Sequence, residues 1–502
     1  MSATLQAFVA PWRYHLDHNG DSKFRDTRKT QFPDHGADAD TLITASHVHS
    51  FHLGTGASIY TQSILPALLQ ARREIILVSC FWAQSDTLAA LSDAIAQLAQ
   101  ERERLISSQS GAAIEPLRIR ICFSSRSLLQ KLFHPNSRDG FVYPPHTWPS
   151  QLGLPAAEAL RAGAIDLQVK TLFFLPFSVM HPKFVVIDRQ RAWLPSCNVS
   201  WEPWLEGCVE ISGGAVSSLM RFYQNVWENS LPDLRDDGNA SPSSPELAPS
   251  SWLTAIQSPA SRFAPLSLES VPTVLLPSSH HQNPCFRPFP WMDDPKPPLT
   301  PLNAAVSCLL EMAQHSIYLQ TPNLTSASVM DGILQALGRG IHVTIVTGKN
   351  MMFLEQIVTA GTTTSRCLKS LIRRYHNLDA SASTLTPSPG DDTLTANPDM
   401  DLEAGRPRLG RLQIAYFRPD NDNRAGGVSE EPVQSHLKLT IVDEEYTVLG
   451  SGNMDRASWF TSQELGILFR SVQFANVVGS NVHDVLKTRT ATLYESGRAR
   501  DD

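Results

Sequence analysis

The stretch HPKFVVID, residues 181–188, places a histidine, a lysine two residues on and an aspartate five residues later. The same order and spacing return at residues 436–443 as HLKLTIVD. Alternate residues of a strand share a face. His181, Lys183, Val185 and Ile187 therefore point one way, and Phe184, Val186 and Asp188 the other. In the second stretch His436, Lys438, Thr440 and Val442 share a face. Both faces of both strands are largely apolar, as expected of strands covered on two sides. Each stretch thus delivers an imidazole and an ammonium, side by side, to one dry place.

The surroundings repeat as well. Residues 59–100 read helix, strand, turn, helix, with Leu65, Leu68 and Leu69 leading into IILVSCFW, and LRIRICFSS supplies a later strand. Residues 302–348 do the same: Ala305, Val306, Leu309, Leu310 and Met312 form a helical stripe, and SIYLQTP and IHVTIVTG read as strands. After each motif comes a small polar turn, PSCN at 195–198 and GSGN at 450–453, and then an amphipathic helix, VSSLMRFYQNVW in the first copy and a stretch from Phe474 onward in the second. The expected fold is α/β: two similar α/β/α sandwich halves with mixed central sheets, packed about a pseudo-two-fold axis with the active site between them.

Compositional shifts set the expected boundaries. Residues 1–44 read as an N-terminal extension, 45–230 as the first half, 231–267 as a Ser/Pro-rich linker, 268–490 as the second half, and 491–502 as a tail. The segment 378–408, rich in Ser, Pro, Thr and Asp, reads as a disordered insertion in the second half.

The 502 residues carry a net charge of -7 with 42% hydrophobic residues, which suits a full globular core and gives no support to a general polyanion binder. Seven cysteines without CxxC spacing argue against a disulfide framework and a zinc site, and for a reducing compartment. With no secretory signal at the start and no apolar run of about 18–20 residues, the expectation is a cytoplasmic protein, neither secreted nor membrane-spanning, that visits a membrane peripherally. The sequons at Asn198, Asn239 and Asn323 are then chance.

Chemically, two histidines, two lysines and two Ser/Asn turns meeting at one place suit a tetrahedral phosphodiester. Lysines and amides neutralise its oxygens. One imidazole attacks phosphorus while the other protonates the leaving alkoxide and later activates water or an alcohol. A carboxylate accepting from one ring nitrogen fixes each tautomer. Glu210, twelve residues after Asn198, and Glu464, eleven after Asn453, are the candidates by spacing. The chemistry needs no metal and no cofactor.

At these residues the chain resembles the phospholipase D superfamily, which carries two HxKxxxxD motifs, each with a G-S-x-N-type turn and a glutamate; the compact layout is most similar to cardiolipin synthases and related phosphatidyltransferases. The resemblance covers roughly 45–230 and 268–490. It implies a phosphohistidine intermediate, His181 and His436 as nucleophile and general acid/base, Lys183, Lys438, Asn198 and Asn453 on phosphate, and Ser196 and Ser451 assisting. His181 is the expected nucleophile because the N-terminal motif often has that part in the family. Asp188 and Asp443 are grouped with the catalytic motif residues, although their family role is more structural. Pro195 and Cys197 depart from the pattern where the second copy has Gly450 and Gly452, so an asymmetric phosphate cradle is expected.

The leading expectation is a phosphodiesterase or phosphatidyltransferase on phospholipids, working as a monomer at a membrane surface with water or an alcohol as acceptor. TLFFLPFSVM, residues 171–180, is either an acyl-lining segment or core. The alternative is a nuclease or nucleic-acid phosphodiesterase, for which RIRICFSSRSLLQK at 118–131 and RCLKSLIRRYH at 366–376 are the basic candidates. A catalytically inactive scaffold is the remaining reading.

Overall fold

The computed structural model describes residues 5–18, 35–108, 115–127, 140–174, 178–228, 254–278, 289, 291, 296–349, 351–384, 409–425 and 430–497. Helix α1 (Gln6–His18) precedes strand β1 (Ile43–Gly54). The first half then runs β2 (Glu74–Phe81), α2 (Asp86–Ser108), β3 (Leu117–Ser125), β4 (Ile165–Thr171), β5 (Phe184–Ile187), β6 (Arg191–Pro195), β7 (Trp204–Gly213) and α3 (Gly214–Trp227). The second runs β8 (Arg262–Ser278), α4 (Pro301–Met312), β9 (Ser316–Thr321), α5 (Ala327–Gly338), β10 (His342–Thr347), α6 (Phe353–Ala360), α7 (Thr364–Thr384), β11 (Leu412–Phe417), β12 (Leu439–Val442), β13 (Tyr446–Gly450), α8 (Arg456–Phe460), β14 (Glu464–Arg470), α9 (Val472–Leu486) and β15 (Thr490–Glu495).

The strand pairing reads the same from either end. In the first half β4, β3 and β2 are parallel, and β5, β6, β7 and β1 follow antiparallel. In the second, β11, β10 and β9 are parallel, and β12, β13, β14 and β8 follow antiparallel. β1 and β8 pair antiparallel in the middle, so the two expected sheets are one continuous mixed sheet. The parallel strands read as near-continuous apolar runs because both faces are covered. On β2, Ile75 and Leu77 enter one core cluster, and Ile76 and Val78 the other.

Several segment boundaries differ from the compositional reading. Helix α1 is packed rather than appended: Trp12 Nε1 donates to Pro301 O at 3.0 Å, and the Phe8 ring lies 6.0 Å from Tyr446 of the second half. β8 begins inside the expected linker, with Arg262 opposite Leu53. β15 enters the expected tail and pairs with β11. Helix α7 occupies the expected insertion as far as Thr384, and 385–408 lie outside the described residues. Among the described residues, no helix is long and apolar enough to cross a membrane.

Candidate active site

Each HxK segment enters its strand past the carboxyl end of the neighbouring parallel strand, since β5 runs against β2 and β12 against β9. Each is also stitched to the other half. His181 N donates to Gln463 O at 2.9 Å, and Gln463 N to Val179 O at 2.8 Å. Reciprocally, His436 N donates to Leu205 O at 2.9 Å, and Gln434 and Ser435 pair in parallel with Trp204 and Leu205. The chain leading into each histidine thus lies beside the chain leading into the other half's glutamate.

The carboxylate contacts follow from that exchange. His181 Nδ1 donates to Glu464 at 2.8 Å, and His436 Nδ1 to Glu206 at 2.8 Å. Both pairs cross between the halves, and both engage Nδ1 rather than Nε2. Burial is the larger influence holding the His181 imidazole below its ordinary range, with Glu464 opposing and Lys183 and Lys438 adding to it. Burial, with Lys438 and Lys183 adding to it and Glu206 opposing, pushes His436 down to about 3. Burial, the largest single influence, pushes the Glu206 and Glu464 carboxyls up, but the histidine, lysine and serine partners of each together outweigh it and both lie below the usual range. Lys183 Nζ donates to His181 O at 2.8 Å and Lys438 Nζ to His436 O at 2.6 Å, which fixes both ammonium groups beside the imidazoles. Burial, then Lys183, brings Lys438 down to about 7 against the pull of Glu206.

Glu210 corrects the expectation from spacing. It lies on the same face of β7 as Glu206 but four residues farther along, about 13 Å. It accepts from Ser50 Oγ at 2.8 Å and pairs with Arg191, far from either imidazole. Glu206 does the work assigned to it. Eight residues separate Asn198 from Glu206 and eleven separate Asn453 from Glu464, because α8 is inserted in the second half alone. Glu206 matches Glu464 once the Ser196 N–Gly207 O bond is laid on the Ser451 N–Leu465 O bond, a strand pairing that counting from the asparagine could not supply.

Two further placements differ, those of the aspartates and the serines. Asp188 and Asp443 do not reach the site. Each is the first of two positive-φ residues in the turn after its strand, a pattern that aspartate tolerates. Asp188 accepts from the N–H groups of Arg72, Arg73 and Glu74, and Asp443 from those of Gln314, His315 and Ser316, at 2.7–3.2 Å. They staple the hairpin to the neighbouring strand. Ser196 and Ser451 hand their hydroxyl protons to Glu206 and Glu464 and accept from Gly207 N and Leu465 N at 3.0 Å, so they hold carboxylates rather than phosphate. Asn198 Oδ1 accepts from Phe81 N at 3.2 Å, and Asn453 Nδ2 donates to Asp455 at 3.1 Å.

The Cys197 departure is a packing exchange, and Pro195 leaves the neighbouring bond unchanged. Ser196 N and Ser451 N make the same bond, to Gly207 O and Leu465 O, at 2.8 and 2.9 Å. A Cβ at Gly452 or Gly466 would stand 2.8 or 2.7 Å from Leu302 methyls at the start of α4. In the first half Cys197 and Cys208 hold those places, and the helix start opposite them offers Gly56, whose Cβ would meet Cys197 Cβ at 3.2 Å.

TLFFLPFSVM is buried where it is described: Phe173 is 8% exposed and Met180 1%, with 175–177 outside the described residues. Three of the basic candidates are paired with carboxylates, while Arg366, Lys369 and Arg373 of α7 are exposed. Arg118 pairs with Glu74 and Glu228, Arg120 with Asp166, and Arg374 with Asp331; 128–131 are not described.

Residues 306–483 match the family model for cardiolipin synthase, PLD-like domain, a span that holds His436, Lys438, Asn453 and Glu464. No curated protein matches the chain. Among solved structures it is similar to phosphatidylserine synthase of Haemophilus influenzae Rd KW20, at 14% identity over 90% of each chain with a TM-score of 0.49. It is also similar to polyphosphate kinase from Porphyromonas gingivalis, at 10% identity over 89% of this chain and 49% of that one, TM-score 0.43. Nuc, a phospholipase D family member from Salmonella typhimurium, matches 39% of this chain over 91% of its own at 16% identity, TM-score 0.25.

Proposed function

We propose that this chain, whose second half is a phospholipase D-like domain, is a phosphodiesterase or phosphatidyltransferase that acts on phospholipids through a phosphohistidine. The observation that carries the reading is the crossed pair of His–Glu contacts, His181 with Glu464 and His436 with Glu206. In this reading a pseudo-two-fold axis through the β1–β8 pairing relates the halves. The phosphodiester lies between the two Nε2 atoms, with Lys183, Lys438, Asn198 and Asn453 around its oxygens. One Nε2 forms an N–P bond as the P–O bond to the head group breaks, and the departing alkoxide takes a proton from the opposite imidazole, which is protonated once the bound diester's negative charge adds to that of its glutamate. That imidazole then removes a proton from water or an alcohol, whose oxygen attacks phosphorus and breaks the N–P bond. His181 as the nucleophile is the assignment adopted here. No cofactor enters the steps.

Apolar surface at the histidine end favours lipid over nucleic acid. Trp201, 60% exposed, stands against Phe81 where β2 ends, and Phe353 and Leu354, 52% and 77% exposed, follow the end of β10. These are the carboxyl ends of the parallel strands in the two halves, where α/β sheets bind ligands. Exposed Trp, Phe and Leu suit a lipid interface, and the arginines of β3, the strand beside β2, are paired with carboxylates. In this reading the chain acts as a monomer, peripheral on a membrane of the cytoplasm.

The test offers labelled phosphatidylglycerol in vesicles, with and without a primary alcohol, beside single-stranded DNA, all in EDTA. Head-group release or exchange that disappears in His181→Ala and His436→Ala supports the proposal. DNA cleavage without lipid turnover contradicts it.

A further inference from the structure

The two histidines have carboxylates of the same kind in different company. Among the described residues Glu206 accepts from His436 Nδ1 and Ser196 Oγ. Glu464 accepts from His181 Nδ1 and Ser451 Oγ, and its Oε1 takes a third hydrogen bond, from Ser458 Oγ at 2.7 Å. Ser458 belongs to α8, the turn of helix that the second half has and the first lacks. Its hydroxyl accepts from Asn453 N at 3.1 Å, so the single hydroxyl proton is directed to Glu464. Asp455 caps the helix: it accepts from Ser458 N at 2.8 Å and, through its other oxygen, from Asn453 Nδ2 at 3.1 Å. Asp455, Ser458 and Asn453 are 3–4% exposed, so water does not compete for these bonds. The chain from Val199 to Leu205 offers Glu206 no equivalent donor.

We propose that Ser458 is a positioning residue that sets His181 apart from His436, by drawing negative charge from Glu464 and tying that carboxylate to the Asn453 turn. A carboxylate that already accepts from two hydroxyls stabilises an imidazolium less well than one that accepts from a single hydroxyl. His181 therefore holds a proton less readily than it would with Glu464 and Ser451 alone, and its Nε2 lone pair is available to attack. The effect is confined to one imidazole, and α8 also links it to the Asn453 turn. The inference about His181's proton stands on contacts alone; its place in turnover rests on the phosphodiester reading.

Imidazole titrations by NMR on the whole chain, with inorganic phosphate present, decide it without turnover. In Ser458→Ala the His181 midpoint is expected to rise by about one unit, the scale of one lost hydrogen bond to its carboxylate, with His436 unmoved. Ser458→Thr, which keeps a hydroxyl, should return His181 to its original midpoint. The acid limb of the kcat profile should move upward with His181 in the Ala variant. If Ala does not fold, Ser458→Cys, with a weak donor of similar size, replaces it. Equal shifts at both histidines, or none at His181, overturn the proposal. Failure of every variant and of the parent protein to turn over any diester would count against the phosphodiester reading while the titrations still decide this one.

Discussion

At the scale of single residues, the contrast between Glu206 and Glu210 is the sharpest. The two glutamates share a strand and a face, yet one accepts from His436 and the other from Ser50. Glu206→Gln removes the carboxylate charge that stabilises a His436 imidazolium and should lower kcat by about 10²-fold or more, whereas Glu210→Gln should leave kcat within about twofold; steady-state rates on the diester of choice check both. The lysine at 438 sets a pH dependence. With its ammonium brought down to about 7 in the free protein, it loses its proton as pH rises through that value, and KM for an anionic diester should climb above pH 7. The sign for stability is opposite. Between about 7 and 10.5 the unfolded chain binds the extra proton, so folding stability contributed by this group increases with pH across that range. A rising KM accompanied by an unchanged or higher Tm therefore separates lost phosphate binding from unfolding. His436, down to about 3, works at the other end: stability falls as pH drops from 6.5 toward 3, because only the unfolded chain readily takes that proton.

At the scale of elements, the repeated motif was legible because strand periodicity puts His and Lys on one face whatever the rest of the fold does. The aspartates were harder to place. Nothing in the spacing separates a carboxylate aimed at substrate from one that accepts three backbone N–H groups behind a hairpin. Glu206 was missed because α8 lengthens one connection and not the other, and loop length is the part of a repeat that sequence spacing constrains least. The turns after the motifs differ in what their side chains must avoid. Gly450 has φ 155°, and a Cβ there would lie 2.3 Å from Leu465 O, a backbone atom that cannot move aside. Gly450→Ala should cost about 1–3 kcal/mol or more, read as a fall of several degrees in Tm. Gly452→Ala meets only the Leu302 side chain, which can turn away, and should cost less. A comparison of the two melting curves tests whether backbone or side-chain crowding limits this turn.

At the scale of the whole molecule, the α/β class and the doubled order of elements were readable from the alternation of apolar runs and amphipathic stripes. The joining of both halves into one sheet was not. It depends on β1 pairing with both β7 and β8, contacts between segments some 160 and 220 residues apart in sequence, and periodicity carries no information about partners at such separations. The same limit hid the crossed His–Glu pairs, which exist only once the halves are packed. Packing also brings Trp201, Phe353 and Leu354 to the histidine end. Substituting Trp201 and Phe353 by serine should reduce turnover of vesicle lipid about tenfold or more, from the apolar area withdrawn from the interface. Turnover of a soluble short-chain diester should be unaffected; equal losses on both would assign these side chains to the site itself.

The most direct measurement is of the covalent intermediate. Protein mixed rapidly with a phospholipid carrying labelled phosphorus, in EDTA, is quenched within the first turnover and digested for mass spectrometry. The expected result is an acid-labile, base-stable phosphatidyl adduct on a single histidine, His181, formed in a burst and lost in the His181→Ala variant. Absence of labelled protein during turnover, with inversion of configuration at a chiral phosphorus, would mean direct attack by water and would contradict it.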